Sequence, residues 1–159
     1  MFKAYLGLGS NLGQKEENLK LAISKVENEI GQISKKSSLF ETEAWGVENQ
    51  GNYYNMAIEI QTKLLPLKLI EKVLELEKEL GRVREKKWGS RIIDIDILLY
   101  ENLIISTDHL HIPHLFLEKR NFVLKPLNQI IPNFIHPKLR KSIAQLSAES
   151  MDKSWIKKL

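Results

Sequence analysis

Asp94 and Asp96 stand two residues apart in the apolar run RIIDIDILLY. If that run is a strand, its two-residue period puts both acids on one face, with Cα atoms roughly 6.6 Å apart, and turns Ile93, Ile95 and Ile97 to the other. Two carboxylates on an otherwise apolar strand repel and desolvate each other unless positive charge lies between them. Magnesium, as one ion or as a pair about 3.5 to 4 Å apart, meets that need and leaves positions for phosphate oxygens and water. An acid pair on an exposed strand face, or ion pairs with Arg91 and its basic neighbours, meets it too. Periodicity leaves both readings open.

The residues just before the acids weigh toward phosphate. From Arg82 to Arg91 the chain carries Arg82, Arg84, Lys86, Lys87 and Arg91 against the single acid Glu85, a local excess that equals the whole formal net charge of +4. A smeared excess would suit solubility or diffuse attraction to nucleic acid, whereas one focus suits a compact anion such as a polyphosphate. Metal-ligating carboxylates beside several arginines fit a triphosphate, whose oxygens take both a cation and forked guanidinium donors. Trp88, next to Gly89, reads either as part of a lid over a bound nucleotide or as an anchor for a charged loop.

The elements that must hold these groups follow from pattern. A chain of 159 residues fits one domain and buries enough surface to fold without disulfides or a structural metal. It has no cysteine, which removes disulfides, zinc thiolates and cysteine nucleophiles. MFKAYLGLGSNL lacks the features of a signal peptide, and no apolar stretch approaches the roughly 20 residues that span a bilayer. The expectation is a cytoplasmic protein with no membrane association.

Phe2 to Leu8 reads as a strand closed by Gly9-Ser10-Asn11, and Lys15 to Ile30 as a helix whose apolar face is Leu19, Ala22, Ile23, Val26 and Ile30. A strand pair is expected at Ile33 to Thr42 and Tyr53 to Thr62. Pro66 opens a second helix with Leu67, Ile70, Val73, Leu74 and Leu80 as its expected apolar face and Gly81 as its stop. Ile92 to Tyr100 is the most strand-like run. A hairpin is expected around Glu101 to Ser106, a histidine-bearing loop at His109 to His114, and a helix within Glu118 to Ile130. Ser142-x-x-Gln145 is a capping-box pattern that starts a last helix. Interleaved strands and helices with tight loops favour antiparallel pairing, and the fold class is α+β.

The run Lys87-Trp88-Gly89-Ser90-Arg91-x-x-Asp94-Ile95-Asp96-Ile97-Leu98 closely resembles the signature of the 6-hydroxymethyl-7,8-dihydropterin pyrophosphokinases. The likeness extends through Leu8-Gly9-Ser10-Asn11-Leu12-Gly13, Tyr53-Tyr54-Asn55, Gly81-Arg82-Val83-Arg84, Ile112-Pro113-His114 and Arg120-Asn121-Phe122. The resemblance implies a ferredoxin-like αβ sandwich with a mainly antiparallel sheet. It also implies transfer of the terminal diphosphate of ATP to the pterin's hydroxymethyl oxygen, with magnesium and the release of AMP.

By the same resemblance, Asp94 and Asp96 are the metal ligands and Arg82 and Arg91 join them as catalytic groups. Glu77, Arg84, Trp88, Arg91, Ile97, His114 and Arg120 belong to the nucleotide site. Thr42, Ala44, Trp45, Tyr53, Asn55 and Phe122 belong to the pterin pocket. Physics supports part of this: Tyr53 and Asn55 share a strand face, so an aromatic plate and an amide with donors and an acceptor suit a flat ring with an amide-like edge. His111-x-x-His114 imitates a zinc pair but lacks a third strong ligand. Glu43 departs from the proline frequent in the family, Leu115 from proline or tyrosine, and Leu74 from a polar contact; these touch the pocket rim and the base end of the nucleotide.

Two other functions are weighed against this one. A nucleic-acid binder would use the basic loop, Trp88 and the strand tyrosines for stacking, but Asp94 and Asp96 would repel its phosphates. A regulatory ATP-binding domain would hold nucleotide without making AMP. The expected partners are therefore small molecules, ATP and the pterin, with no nucleic acid and no obligate protein partner.

Overall fold

The computed structural model describes residues 1–43, 51–81 and 92–159. Strand β1 (Phe2–Ser10) runs into helix α1 (Lys15–Glu29), then β2 (Gln32–Lys36), β3 (Phe40–Thr42) and β4 (Tyr53–Thr62). Helix α2 (Pro66–Glu79) leads to β5 (Asp94–Tyr100), followed by the short strands β6 (Ile105–Ser106) and β7 (His111–Ile112). A 3-10 turn (Leu117–Lys119), α3 (Asn121–Ile130), α4 (Ile143–Glu149) and β8 (Ile156–Lys158) complete the described chain. None of the described helices is long and apolar enough to cross a membrane.

The main sheet has the order β5-β1-β4-β3-β8, with β2 also on β4, and all its pairings are antiparallel. Helix α1 connects β1 to β2 past β4, and α2 connects β4 to β5 past β1. These two split β-α-β crossovers are the ferredoxin-like α+β arrangement expected from the sequence. β2 and β3 run along the same edge of β4, so the single strand expected at Ile33 to Thr42 is present with one interruption. Ser37 bridges that gap: its N–H donates to the Ala57 carbonyl and its Oγ accepts from the Ala57 N–H, both at 2.9 Å.

Alternation along β1 divides the interior in two. Ala4, Leu6 and Leu8 point to one face and pack with Leu19, Ala22 and Val26 of α1 and Leu69, Val73 and Leu76 of α2. On the other face Tyr5 joins Leu117, Val123, Leu124 and Leu127 beneath α3 and α4. A register shift in the β1/β5 pairing, between Tyr5/Leu6, leaves Leu98 unmatched, and both Leu98 and Leu99 enter the second core.

Three expectations need correction. The buried face of α2 is Leu69, Val73, Leu76 and Glu77, and the expected Ile70 and Leu80 pack at its margin, while Leu67 and Leu74 are 62% and 45% exposed. A 3.6-residue period fits both leucine sets, and the polar Glu77 disguised the stripe that the sheet selects. The hairpin pairs Ile105 with Ile112 and Ser106 with His111, so its first strand closes the Glu101 to Ser106 segment and its second takes in His111. β5 begins at Asp94, making that acid the first residue of its strand. Ser142 caps α4 as expected, its Oγ accepting from the Gln145 N–H at 3.1 Å.

Candidate active site

Strand β1, between β4 and β5, exposes glycine where its neighbours expose functional groups. Gly9 of β1 is paired with Asn55 of β4 on one side and with Asp94 of β5 on the other, and Gly7 is likewise paired with Ala57 and Asp96. Neighbouring strands lie about 4.8 Å apart, so Asn55 and Asp94 face each other over a floor roughly 10 Å wide that carries no side chain at its centre. A Cβ on Gly9 would stand 2.6 Å from Asn55 Oδ1 and 3.5 Å from Tyr53 Cδ1. Tyr53 and Asn55 thus converge above Gly9, on the face that carries the two acids. Leu-Gly-Leu-Gly, with glycine at every second residue of a strand, was the sequence signal for this cradle, and reading Gly9 only as a strand stop missed it.

Asn55 is held in place. Its Nδ2 donates to Thr42 Oγ1 at 2.8 Å, and both residues are nearly inaccessible, at 7% and 2% exposure. With Nδ2 engaged by a neighbour, the buried amide has a fixed orientation, and its carbonyl edge lies over Gly9. Tyr53 is half-buried.

On the acid side, the strand start is fixed by a carboxylate from α2. Glu77, only 4% exposed, accepts from the Ile95 N–H through Oε2 at 2.8 Å. Ile95 lies between Asp94 and Asp96, so this bond sets the pleat from which both acids project. Ile97 is 3% exposed and packs in the α1/α2 core, on the side of β5 opposite the acids.

His114 and Arg120 complete the described rim. The His114 N–H donates to the Leu98 carbonyl at 3.0 Å, tying the loop after β7 to β5, and its Nε2 lies 3.9 Å from Asp96 Oδ1. Burial lowers the His114 pKa below the ordinary histidine value, against the attraction of Asp96, so the ring is neutral near pH 7. Its Nδ1 is buried with no hydrogen-bond partner among the described residues. Arg120 also feels Asp96, and its guanidinium lies 5.0 Å from the Phe116 ring centroid and 5.6 Å from that of Phe122. Phe122 is half-buried in the first turn of α3, which packs over β4 and β3, the strands of Asn55, Tyr53 and Thr42.

Of the residues expected at the site, the structure therefore gathers Asp94, Asp96, Thr42, Tyr53, Asn55, His114, Arg120 and Phe122 around one face of the sheet, with Glu77 beneath the acids. Ala44, Trp45, Arg82, Arg84, Trp88 and Arg91 lie outside the described residues. His111 of the imagined zinc pair sits opposite Ser106, with Nδ1 3.2 Å from Ser106 Oγ.

Comparison with known proteins gives one consistent result. The family described as 7,8-dihydro-6-hydroxymethylpterin-pyrophosphokinase (HPPK) matches residues 5–132. A 2-amino-4-hydroxy-6-hydroxymethyldihydropteridine pyrophosphokinase of Aquifex aeolicus is 48% identical over 150 residues, covering 94% of this chain and 93% of its own. One of the same name from Methylorubrum extorquens is 39% identical over 156 residues, with 96% and 99% covered. Among solved structures, the wild-type HPPK-DHPS of Plasmodium falciparum superposes with a TM-score of 0.78 at 18% identity over 93% of this chain. This chain spans 44% of that longer polypeptide, and the likeness bears on the fold alone.

Proposed function

The chain belongs to the 7,8-dihydro-6-hydroxymethylpterin-pyrophosphokinase family, and from that membership we propose how its residues divide the work of the reaction. It transfers diphosphate from ATP to 6-hydroxymethyl-7,8-dihydropterin in folate biosynthesis, giving the pterin diphosphate and AMP. The observation that carries the site assignment is the pairing of Gly9 with Asn55 on one side and Asp94 on the other, which sets an amide and a carboxylate against each other across a bare floor.

Tyr53, Asn55, Thr42 and Phe122 form the pterin side. The fixed Asn55 amide reads the polar edge of the ring, and Tyr53 and Phe122 supply aromatic faces for its plane. Ala44 and Trp45 join this pocket by the family resemblance.

Asp94 and Asp96 hold magnesium. Hard carboxylate oxygens projecting from one strand face, with Asp96 47% exposed and only glycine beside them on β1, are a donor set that fits this ion with room for phosphate. When bound, the metal would neutralise charge on the phosphates. His114 and Arg120 contact the phosphates from the rim above Asp96, Arg120 through forked donors. Arg82 and Arg91 stabilise charge on the bridging and transferred phosphates, while Glu77, Arg84, Trp88 and Ile97 belong to the nucleotide end by the family resemblance.

The reaction is an in-line displacement. The pterin oxygen forms a bond to the β-phosphorus, the bond from that phosphorus to the α,β-bridging oxygen breaks, AMP leaves and the hydroxyl proton passes to water. Such a transfer depends mainly on positioning and on charge neutralisation, so no dedicated protein base is required. The chain acts as a single domain in the cytoplasm, where ATP is available.

Asp96→Ala tests the assignment. The variant should unfold at the wild-type temperature while AMP and pterin diphosphate formation, assayed with ATP, magnesium and 6-hydroxymethyl-7,8-dihydropterin, falls by about 10²- to 10³-fold. A well-folded Asp96→Ala enzyme that keeps most of its turnover would sink the metal assignment.

A further inference from the structure

We propose that the segment from Asp152 to Lys158 is a strap that fixes the gap between the two walls of the pterin pocket, with Asp152 as its positioning residue. The inference rests on the assignment of Phe122, at the start of α3, and Thr42, on β3, to that pocket. It concerns a stretch of chain beyond residue 132, where the family match ends.

One end of the strap holds the start of α3. The residue at the N-cap of this helix, Arg120, makes no side-chain cap bond, although the first N–H groups of a helix need acceptors. Asp152 supplies one from 31 residues away. The Asn121 N–H donates to Asp152 Oδ2 at 2.7 Å, and Asn121 Nδ2 donates to the Asp152 carbonyl at 2.9 Å. The second carboxylate oxygen accepts from the Ser154 N–H at 2.8 Å, so the acid is fixed from both sides. A negative charge is favoured at a helix N-terminus, and here it grips the residue between Arg120 and Phe122. Burial opposes ionisation of Asp152, but the bonds from Asn121 and Ser154 outweigh it and hold the carboxyl below its usual range.

The other end holds β3. Trp155 N–H donates to Glu43 Oε1 at 2.7 Å, Glu43 N–H donates back to the Trp155 carbonyl at 3.4 Å, and β8 then pairs Ile156 with Thr42, Lys157 with Glu41 and Lys158 with Phe40. The Leu159 N–H closes the run on the Leu39 carbonyl at 2.9 Å. Thr42, which orients the Asn55 amide, is therefore directly opposite the strap. Asp152 and Ile156 are four residues apart, a reach of at most about 14 Å, so the strap has little slack with which to let the two walls drift.

Packing does not explain this segment. Trp155 is 47% exposed and Ile156 only half-buried, and neither belongs to either core, so the strap adds little to them. Its anchors are polar and sit beside the two sets of residues that face the pterin. A segment that served stability alone would have no reason to concentrate its bonds there.

The test is steady-state kinetics on the full chain for wild type, Asp152→Ala, Asp152→Asn, Phe122→Ala and the Asp152→Ala/Phe122→Ala double variant, with thermal unfolding alongside. Asp152→Ala should raise KM for the pterin roughly five- to tenfold, the scale of a lost helix cap, while kcat changes less than about twofold. Asp152→Asn, whose side-chain oxygen can still accept from Asn121, should recover most of the loss. Once Phe122 is gone, removing Asp152 should add little further increase in KM, because the strap acts through that ring. An Asp152→Ala enzyme with lowered melting temperature and unchanged pterin KM overturns the proposal, as do effects of Asp152 and Phe122 that simply multiply. If Asp152→Ala does not fold, Glu43→Ala, which removes the side-chain bond to Trp155 at the other anchor, takes its place in the same cycle under the same two criteria. A Phe122→Ala enzyme with unchanged pterin KM would instead overturn the pocket assignment itself.

Discussion

A methyl group at position 9 would collide with the Asn55 amide, which we assign to the polar edge of the pterin. The clash of 2.6 Å is with Asn55 Oδ1, and that side chain cannot swing aside cheaply because its Nδ2 is bonded to buried Thr42. Gly9→Ala should therefore cost pterin binding more than stability. Displacing or unpairing one buried hydrogen-bonding group is worth about 1–3 kcal/mol, so KM for the pterin should rise by roughly 5- to 150-fold while KM for ATP changes far less. Equal losses for both substrates would show that Gly9 shapes the floor generally and does not guard Asn55. At this scale much was legible before any coordinates. A two-residue period placed Asp94 with Asp96 and Tyr53 with Asn55, because strand geometry converts spacing into facing with no further information. What spacing could not supply was which strands lie side by side, and so the role of Gly9 between them stayed hidden until the register was known.

Elements pose a different problem, since a helix or strand is chosen by its neighbours as well as by its own residues. On α2 the sheet buries the stripe of Leu69, Val73 and Leu76, and Glu77 on the same face meets the Ile95 N–H at the start of β5. The resemblance assigns Glu77 to the nucleotide site, whereas the hydrogen bond gives it a structural duty, and the two are separable. Glu77→Gln retains an acceptor oxygen for Ile95 and should keep near-wild-type stability. Glu77→Ala leaves a buried N–H unsatisfied and should lose about 1–3 kcal/mol of unfolding free energy in denaturant titration. If Glu77→Gln also keeps full kcat/KM for ATP, the residue works by holding the acid-bearing strand. A large rise in KM for ATP in that folded variant would instead establish a direct nucleotide contact. The strand at Ile33 to Thr42 was visible from its pattern, but its break at Ser37 was not, because the repair is a side-chain bond to a strand 20 residues away. β8 was invisible for a similar reason: Ile-Lys-Lys carries no strand signal, and only the free edge of β3 makes it one.

At the scale of the whole molecule, two cores on opposite faces of one sheet must stay docked for the site to exist, and acid should loosen the second of them first. His136 is 2% exposed, and its Nδ1 accepts from the N–H groups of Lys138 and Leu139 at 3.2 and 3.0 Å, which requires the neutral ring with its proton on Nε2. The same turn joins α3 to α4: the His136 N–H donates to the Lys141 carbonyl, and the Ile143 N–H to that of Phe134. Burial pushes the His136 pKa below the ordinary histidine value, with the neighbouring Glu118 charge opposing it. In the window between that depressed value and about 6.5, the unfolded chain binds the proton that the folded chain refuses, so stability falls as pH falls through the window and levels off below it. Asp152 acts later. Its carboxyl is held below the usual range, so its contribution is complete above the ordinary aspartate value and is lost only as pH drops through the lower folded one. Thermal unfolding followed from about pH 7 down to about pH 3 should thus decline in two stages. His136→Asn keeps a side-chain oxygen for the two N–H groups and cannot take up the proton, so it should reduce the decline that begins below about pH 6.5 while leaving the later one intact. His114, also depressed by burial, accounts for the part of the first stage that survives in this variant. A His136→Asn protein whose melting temperature tracks the wild type through the whole first stage would show that the turn between α3 and α4 bears none of the acid sensitivity.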